Sequence, residues 1–235
     1  MVMLIKLLIA HLIGDFVLQT SKSVKHKEKN GFASYHLYFH CAIHALLSFL
    51  LLWNLKYWYV SVIIFTTHLI IDGLKITLTT KKNARWLFLI DQALHISVIV
   101  GLVLWMDAIS FFIPGRIVEV LWPLLFCILL LTSPVAIMLK VFFTRWKLTD
   151  KDTDIYGLKN AGKWIGAIER LLIFLFIVTD NFGAVGLLLT AKSVFRFGDL
   201  SKAKNMKLTE YVLIGTLLSF GIAILVGLLF KYIYL

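Results

Sequence analysis

The sequence predicts an all-α, polytopic membrane bundle of about seven or eight transmembrane helices. Three observations carry this reading. The 235 residues are 60% hydrophobic and only 16% charged, with a mean hydropathy of +0.88, whereas a soluble domain carries about 25% charged residues. Apolar runs of roughly 18 residues recur along the whole chain, long enough to cross about 30 Å of hydrocarbon. The stretches between them alternate between rich and poor in Lys and Arg. Backbone groups in lipid must find partners within their own segment, so such runs are helices.

Eight apolar segments are expected, at 2–19, 36–54, 57–78, 86–106, 116–143, 163–180, 183–197 and 209–232. The first has neither a basic start nor a small-residue cleavage site, and it contains His11 and Asp15, so it reads as a retained helix. The seventh is short and leaves open a re-entrant or half-buried segment. A division into a four-helix core over 1–112 and a second set of helices over 113–235 follows from where the ionisable residues fall. Cys41 and Cys127 lie singly in apolar runs, which implies buried thiols and no disulfide framework. The Asp150, Asp152, Asp154 alternation lacks the Gly and terminal Glu of a calcium loop and reads as a solvated connection.

The net charge of +11 excludes little by itself. In a chain this apolar it belongs to loops on one side of a membrane and not to a nucleic-acid surface. Lys22, Lys25, Lys27 and Lys29 precede the second segment, and Lys75, Lys81, Lys82 and Arg85 join the third to the fourth. Two later stretches, 140–163 and 196–208, are equally basic. The positive-inside rule then places these loops in the cytoplasm and both termini outside, in a cytoplasmic (inner) membrane.

Polar residues inside the apolar segments single out a site. His11 with Asp15, His40 with His44, His68 with Asp72, and Asp91 with His95 stand four residues apart, a spacing that shares one helix face. Counted from the basic ends of their helices, Asp15, His40, Asp72 and Asp91 lie roughly 8–10 Å deep. His11, His44, His68 and His95 lie roughly 14–16 Å deep. Two layers, one mostly carboxylate and one of imidazole, are thus expected in the cytoplasmic half. His11-Leu-Ile-Gly-Asp15 is echoed by His68-Leu-Ile-Ile-Asp72, and His40-xxx-His44 by Asp91-xxx-His95. The first four helices therefore read as a duplicated hairpin.

Imidazole and carboxylate together suit a divalent metal, zinc first and iron or manganese next. The expected ligands are His11, His40, His44, His68, Asp72 and His95, with Asp15 or Asp91 as the base that deprotonates a metal-bound water. Gln19, His36 and Lys75 are expected to support them. Arg170, Lys192 and Arg196, on later helices, are candidates for holding an anionic substrate such as a lipid phosphate. Against these roles stand simpler ones: a structural hydrogen-bond network for the histidines, and an internal ion pair of Glu169 with Lys192 or Arg196.

The segments His11-Leu-Ile-Gly-Asp15-Phe-Val-Leu-Gln19-Thr20, Thr67-His68-Leu-Ile-Ile-Asp72-Gly-Leu-Lys75 and Asp91-Gln92-Ala-Leu-His95 resemble the signatures of a bacterial membrane family, domain of unknown function 3307. The resemblance covers residues 1–106 and implies a membrane fold and a shared site without naming a reaction. The expected function is a metal-dependent hydrolase in the membrane, acting on an anionic substrate from the cytoplasmic side. A metal-ion or proton transporter is the alternative, and a non-catalytic assembly protein the second. The bilayer is the expected partner, with homo-oligomers open and nucleic acid excluded.

Overall fold

The computed structural model describes residues 2–80, 82–106, 116–146, 161–203 and 206–235, with the side chains of 116–119 and 195–208 outside the description. Every described regular element is helical, as the apolar runs require. In order these are α1 (Val2–Leu12), a π-helical turn (Ile13–Leu18), α2 (Ser21–Asn30), α3 (Tyr35–Leu52), α4 (Trp58–Leu78) and α5 (Ala84–Trp105). They are followed by α6 (Arg116–Leu131), α7 (Ser133–Phe143), α8 (Ala161–Val178), α9 (Phe182–Ala203) and α10 (Met206–Tyr234). Five spans are long and apolar enough to cross a membrane: α3, α4 with its leading turn, α5, Val120–Phe143 and Thr209–Tyr234. Val2–Leu18 makes a sixth if it counts with the helix that follows it. The chain is a membrane protein.

Three further segments do not pass as spans on their own among the described residues. The helix after the first segment turns by 90° instead of continuing, and its sequence, SKSVKHKEKN, is too polar for hydrocarbon. Among the residues whose side chains are described, the apolar stretch of α9 is Phe182–Val194. Segment 163–180 forms α8, but Lys163, Glu169 and Arg170 keep it out of the strongly apolar set. The Asp150, Asp152, Asp154 stretch lies outside the described residues.

The chain divides into two compact units, Met1–Leu129 and Leu130–Leu235. In the first, α1 packs on α3 and α5, and α4 packs on the same two helices, closing a ring of four. The partners of the sequence echo, α1 with α4 and α3 with α5, stand at opposite corners, as a twofold axis down the bundle requires. At one end the ring is filled by Leu7, Val60, Ile64, Ile99, Leu102 and Val103. Toward the other end, one turn along each helix, the buried positions become His11, His68 and His95.

In the second unit, α8 packs on α9 and α10. The predicted single segment 116–143 is interrupted at Thr132, with Pro134 in the first turn of α7. A proline has no N–H to continue the ladder, so the carbonyls before it need other donors. Arg170 supplies them: Nε donates to Leu131 O at 2.5 Å and Nη2 to Thr132 O at 2.9 Å.

Candidate metal centre

The π-helical turn is what brings Asp15 to its place. Its wider turn breaks the 3.6-residue register between His11 and Asp15, a distortion often found at functional sites. His11 Nε2 stays 3.8 Å from Asp15 Oδ2, and the shorter contacts to this carboxylate come from other helices. His44 Nε2 donates to Asp15 Oδ1 at 3.0 Å, and His40 Nε2 lies 3.1 Å from the same oxygen. From α5, the Gln92 amide donates to Asp15 Oδ2 at 2.8 Å. Gly14 leaves room for this: a Cβ there would overlap the His44 ring.

The expected pairing of residues four apart is therefore only part of the network. His95 follows it, with Nδ1 3.7 Å from Asp91 Oδ1. Other contacts join the helices: His40 Nε2 lies 3.5 Å from Asp72 Oδ2, and His95 Nε2 lies 3.9 Å from Asp72 Oδ1. The rings of His40, His44, His68 and His95 run as a chain, with successive centroids 4.6, 4.0 and 4.0 Å apart. His11 faces His95 at 5.3 Å.

The two expected layers thus condense into one cluster, and its potential ligands fall into two groups. His11, Asp15, His44 and His68 form one; Asp72, Asp91 and His95 form the other. Within each, one donor atom per residue lies within 4.8 Å of those of the others. A single ion with bonds of about 2.0–2.2 Å imposes similar separations. His40 belongs to neither group and sits between Asp15 and Asp72, with the Gln19 amide 3.3 Å from its Nε2.

Five buried side-chain polar atoms lack a hydrogen-bond partner among the described residues: His11 Nδ1, Ser61 Oγ, His68 Nε2, Asp91 Oδ1 and His95 Nε2. Four of them belong to the cluster. Two are assignable as lone pairs. His95 Nδ1 lies 2.8 Å from the Asp91 carbonyl, which can only accept, so Nδ1 carries the proton and Nε2 the lone pair. Gln92 turns its NH2 toward Asp15 and Asp91, leaving its oxygen to accept from His11 Nε2 at 3.3 Å. His11 Nδ1 is then the unprotonated nitrogen. A proton-fixing bond on one ring nitrogen and an open lone pair on the other is how proteins present imidazole to metals.

Two lysines complete the cluster. Lys75 Nζ donates to Asp91 Oδ2 at 2.7 Å and keeps 32% of its side chain exposed. Lys27 Nζ, on α2, donates to Asp72 Oδ2 at 2.9 Å and is buried. Sequence reading placed Lys27 among solvated loop lysines. The missed signal is Thr20, whose hydroxyl accepts from Ser23 N and starts a helix that carries Lys27 back over the bundle. Gln92 was missed as well, although it stands beside Asp91 at the same depth. His36 lies against Tyr35 and His26, with ring centroids 4.3 and 4.8 Å away; no contact joins it to the cluster among the described residues.

Arg170 and Lys192, the candidates for holding an anion, are engaged inside the second unit. Arg170 is buried, and besides two carbonyls it reaches Ser219 Oγ at 3.2 Å. Lys192 Nζ pairs with Glu169 Oε2 at 2.5 Å. The side chain of Arg196 lies outside the described residues. Neither cation is thus offered to a substrate here.

Residues 3–116 match the family described as Protein of unknown function (DUF3307). The N-terminal part of the chain is thus similar to this family. The match takes in every ligand candidate of the cluster, together with Gln19, Lys27, Lys75 and Gln92. No curated protein and no solved structure matches the chain.

Proposed function

We propose that the N-terminal part of this protein is a membrane-embedded, metal-dependent hydrolase acting on an anionic, phosphate-bearing substrate. The observation that carries this reading is the set of buried polar atoms in the cluster without hydrogen-bond partners among the described residues. An unsatisfied buried polar group costs about 1–3 kcal/mol, and four in one cluster is a strained arrangement unless a cation completes it. The charge points the same way. Three carboxylates (Asp15, Asp72, Asp91) face two lysines (Lys27, Lys75), leaving one negative charge when the imidazoles are neutral.

The ion, zinc on the strength of the imidazole and carboxylate donors, would be held by His11, His44, His68 and Asp15. It would lower the pKa of a bound water toward neutrality. Asp91 would accept the proton, its unpartnered Oδ1 lying inside the cluster and its Oδ2 held by Lys75. Hydrolysis would then join the water oxygen to phosphorus and break the bond to the leaving oxygen, to which Asp91 would return the proton. Lys75, the half-exposed cation of the cluster, marks the mouth and attracts the anionic substrate. We place this mouth in the cytoplasmic half of a bacterial inner membrane, following the distribution of basic loops.

The transporter reading is disfavoured by one arrangement. Beyond the histidines the ring is closed by Leu7, Val60, Ile64, Ile99, Leu102 and Val103, and an ion path would need polar groups there. The test is elemental analysis of the purified full chain, then hydrolysis of an aryl phosphate with and without chelator. Tightly bound metal, lost in His68→Leu, and chelator-sensitive turnover are expected. A folded, metal-free protein that takes up no zinc, manganese or iron would sink the proposal.

A further inference from the structure

From the division of the cluster into two ligand groups, we infer that the centre is built for two metal ions. This rests on the metal reading above and changes one role in it. Asp91 becomes a ligand, and the second ion takes over from it the task of driving water to hydroxide.

The two groups share no residue, and each has enough ligands to hold an ion alone. His11, Asp15, His44 and His68 come from α1, the π-helical turn, α3 and α4; Asp72, Asp91 and His95 come from α4 and α5. The residues that carry the partnerless atoms divide evenly: His11 and His68 belong to the first group, Asp91 and His95 to the second. One ion in the first group would leave the second pair of atoms buried and unsatisfied. The residues concerned are 1–3% exposed, so bulk water does not reach them.

The groups also touch. His68 of one and His95 of the other have ring centroids 4.0 Å apart. His40 Nε2 lies 3.1 Å from Asp15 Oδ1 and 3.5 Å from Asp72 Oδ2, one carboxylate from each group. This adjacency suits a pair of ions at the roughly 3.5–4 Å spacing that clamps both the attacking and the leaving oxygen of a displacement.

Charge gives the second ion a condition. With one divalent ion the cluster carries one positive charge, and with two it carries three, in surroundings that penalise uncompensated charge. A hydroxide and a phosphate dianion restore neutrality. The second ion is therefore expected to bind together with an anion, which ties the proposal to phosphate-bearing substrates.

The experiment loads chelator-stripped full-length protein in detergent with Mn²⁺, with and without inorganic phosphate, and measures metal per chain after desalting. Two ions per chain are expected with phosphate, and fewer without it. Electron paramagnetic resonance of the loaded protein should show a coupled manganese pair. His95→Gln should reduce the content to one and abolish the coupling. One ion per chain in the wild type, with an uncoupled spectrum, overturns the two-ion inference and leaves the metal reading standing. No metal at all overturns both. The wild-type measurements decide the matter even if His95→Gln does not fold.

Discussion

Both units of the chain bury charged side chains among apolar helices, and the two sets end in opposite states. In the second unit the buried charges among the described residues are matched. Arg170 caps the carbonyls of a broken helix and reaches Ser219, and Lys192 pairs with Glu169. In the first unit the carboxylates and lysines are matched too, but four atoms of the cluster are left over. Folding alone accounts for the second pattern, because the described buried charges there have partners that offset their desolvation. It does not account for the first, where the fold retains unsatisfied groups that an all-leucine interior would avoid. Where polar groups enter hydrocarbon, the informative quantity is thus not their number but what remains after the internal partners are counted.

Substitutions can break this contrast. The largest effect on stability is expected from Arg170→Ala. It removes three hydrogen bonds from a charged donor, each worth about 1.5–3 kcal/mol, and should destabilise the protein by several kcal/mol in thermal unfolding. Metal content per folded chain should not change. If Arg170→Ala instead released metal at unchanged stability, the division of roles would be wrong.

Gly14→Ala should do the reverse. The added methyl pushes the His44 ring from Asp15, and disturbing a ligand's support typically lowers metal affinity 10–100-fold. Competition against a chromophoric chelator measures this. Stability of the metal-free form should fall only by about 1–2 kcal/mol, the scale of overpacking in a core. Affinity equal to the wild type would place His44 outside the metal's coordination sphere.

The smallest effect is expected from Lys75→Gln. Its amide keeps a donor near Asp91 but drops the charge at the mouth. KM for an anionic aryl phosphate should rise several-fold, less so at high salt, with kcat changed less. An unaltered KM would remove Lys75 from substrate attraction.

Much of the cluster was legible in the sequence because depth is. Helices rise 1.5 Å per residue, so His11, His44, His68 and His95, counted from the basic ends of their helices, had to fall near one level. Which atoms meet was not legible. The π-helical turn at Ile13–Leu18 shifts Asp15 off the face that regular spacing assigns it, toward His40 and His44. Lys27 was hidden for a different reason. A lysine among lysines looks solvated until the chain bends by 90° and carries it back over Asp72. The break at Thr132 was signalled by Pro134, but the residue that compensates for it, Arg170, is 38 positions away in the chain, beyond any local pattern.

The apolar closure at one end of the ring has a consequence for direction. If the cluster is catalytic as proposed, with Lys75 at its opening, a floor of Leu7, Ile64 and Ile99 would make it a one-sided device. It would serve only molecules presented from the leaflet on which that mouth opens, and return its products there. In sealed vesicles, then, turnover of an impermeant substrate would count the fraction of protein inserted mouth-outward, and detergent would uncover the rest.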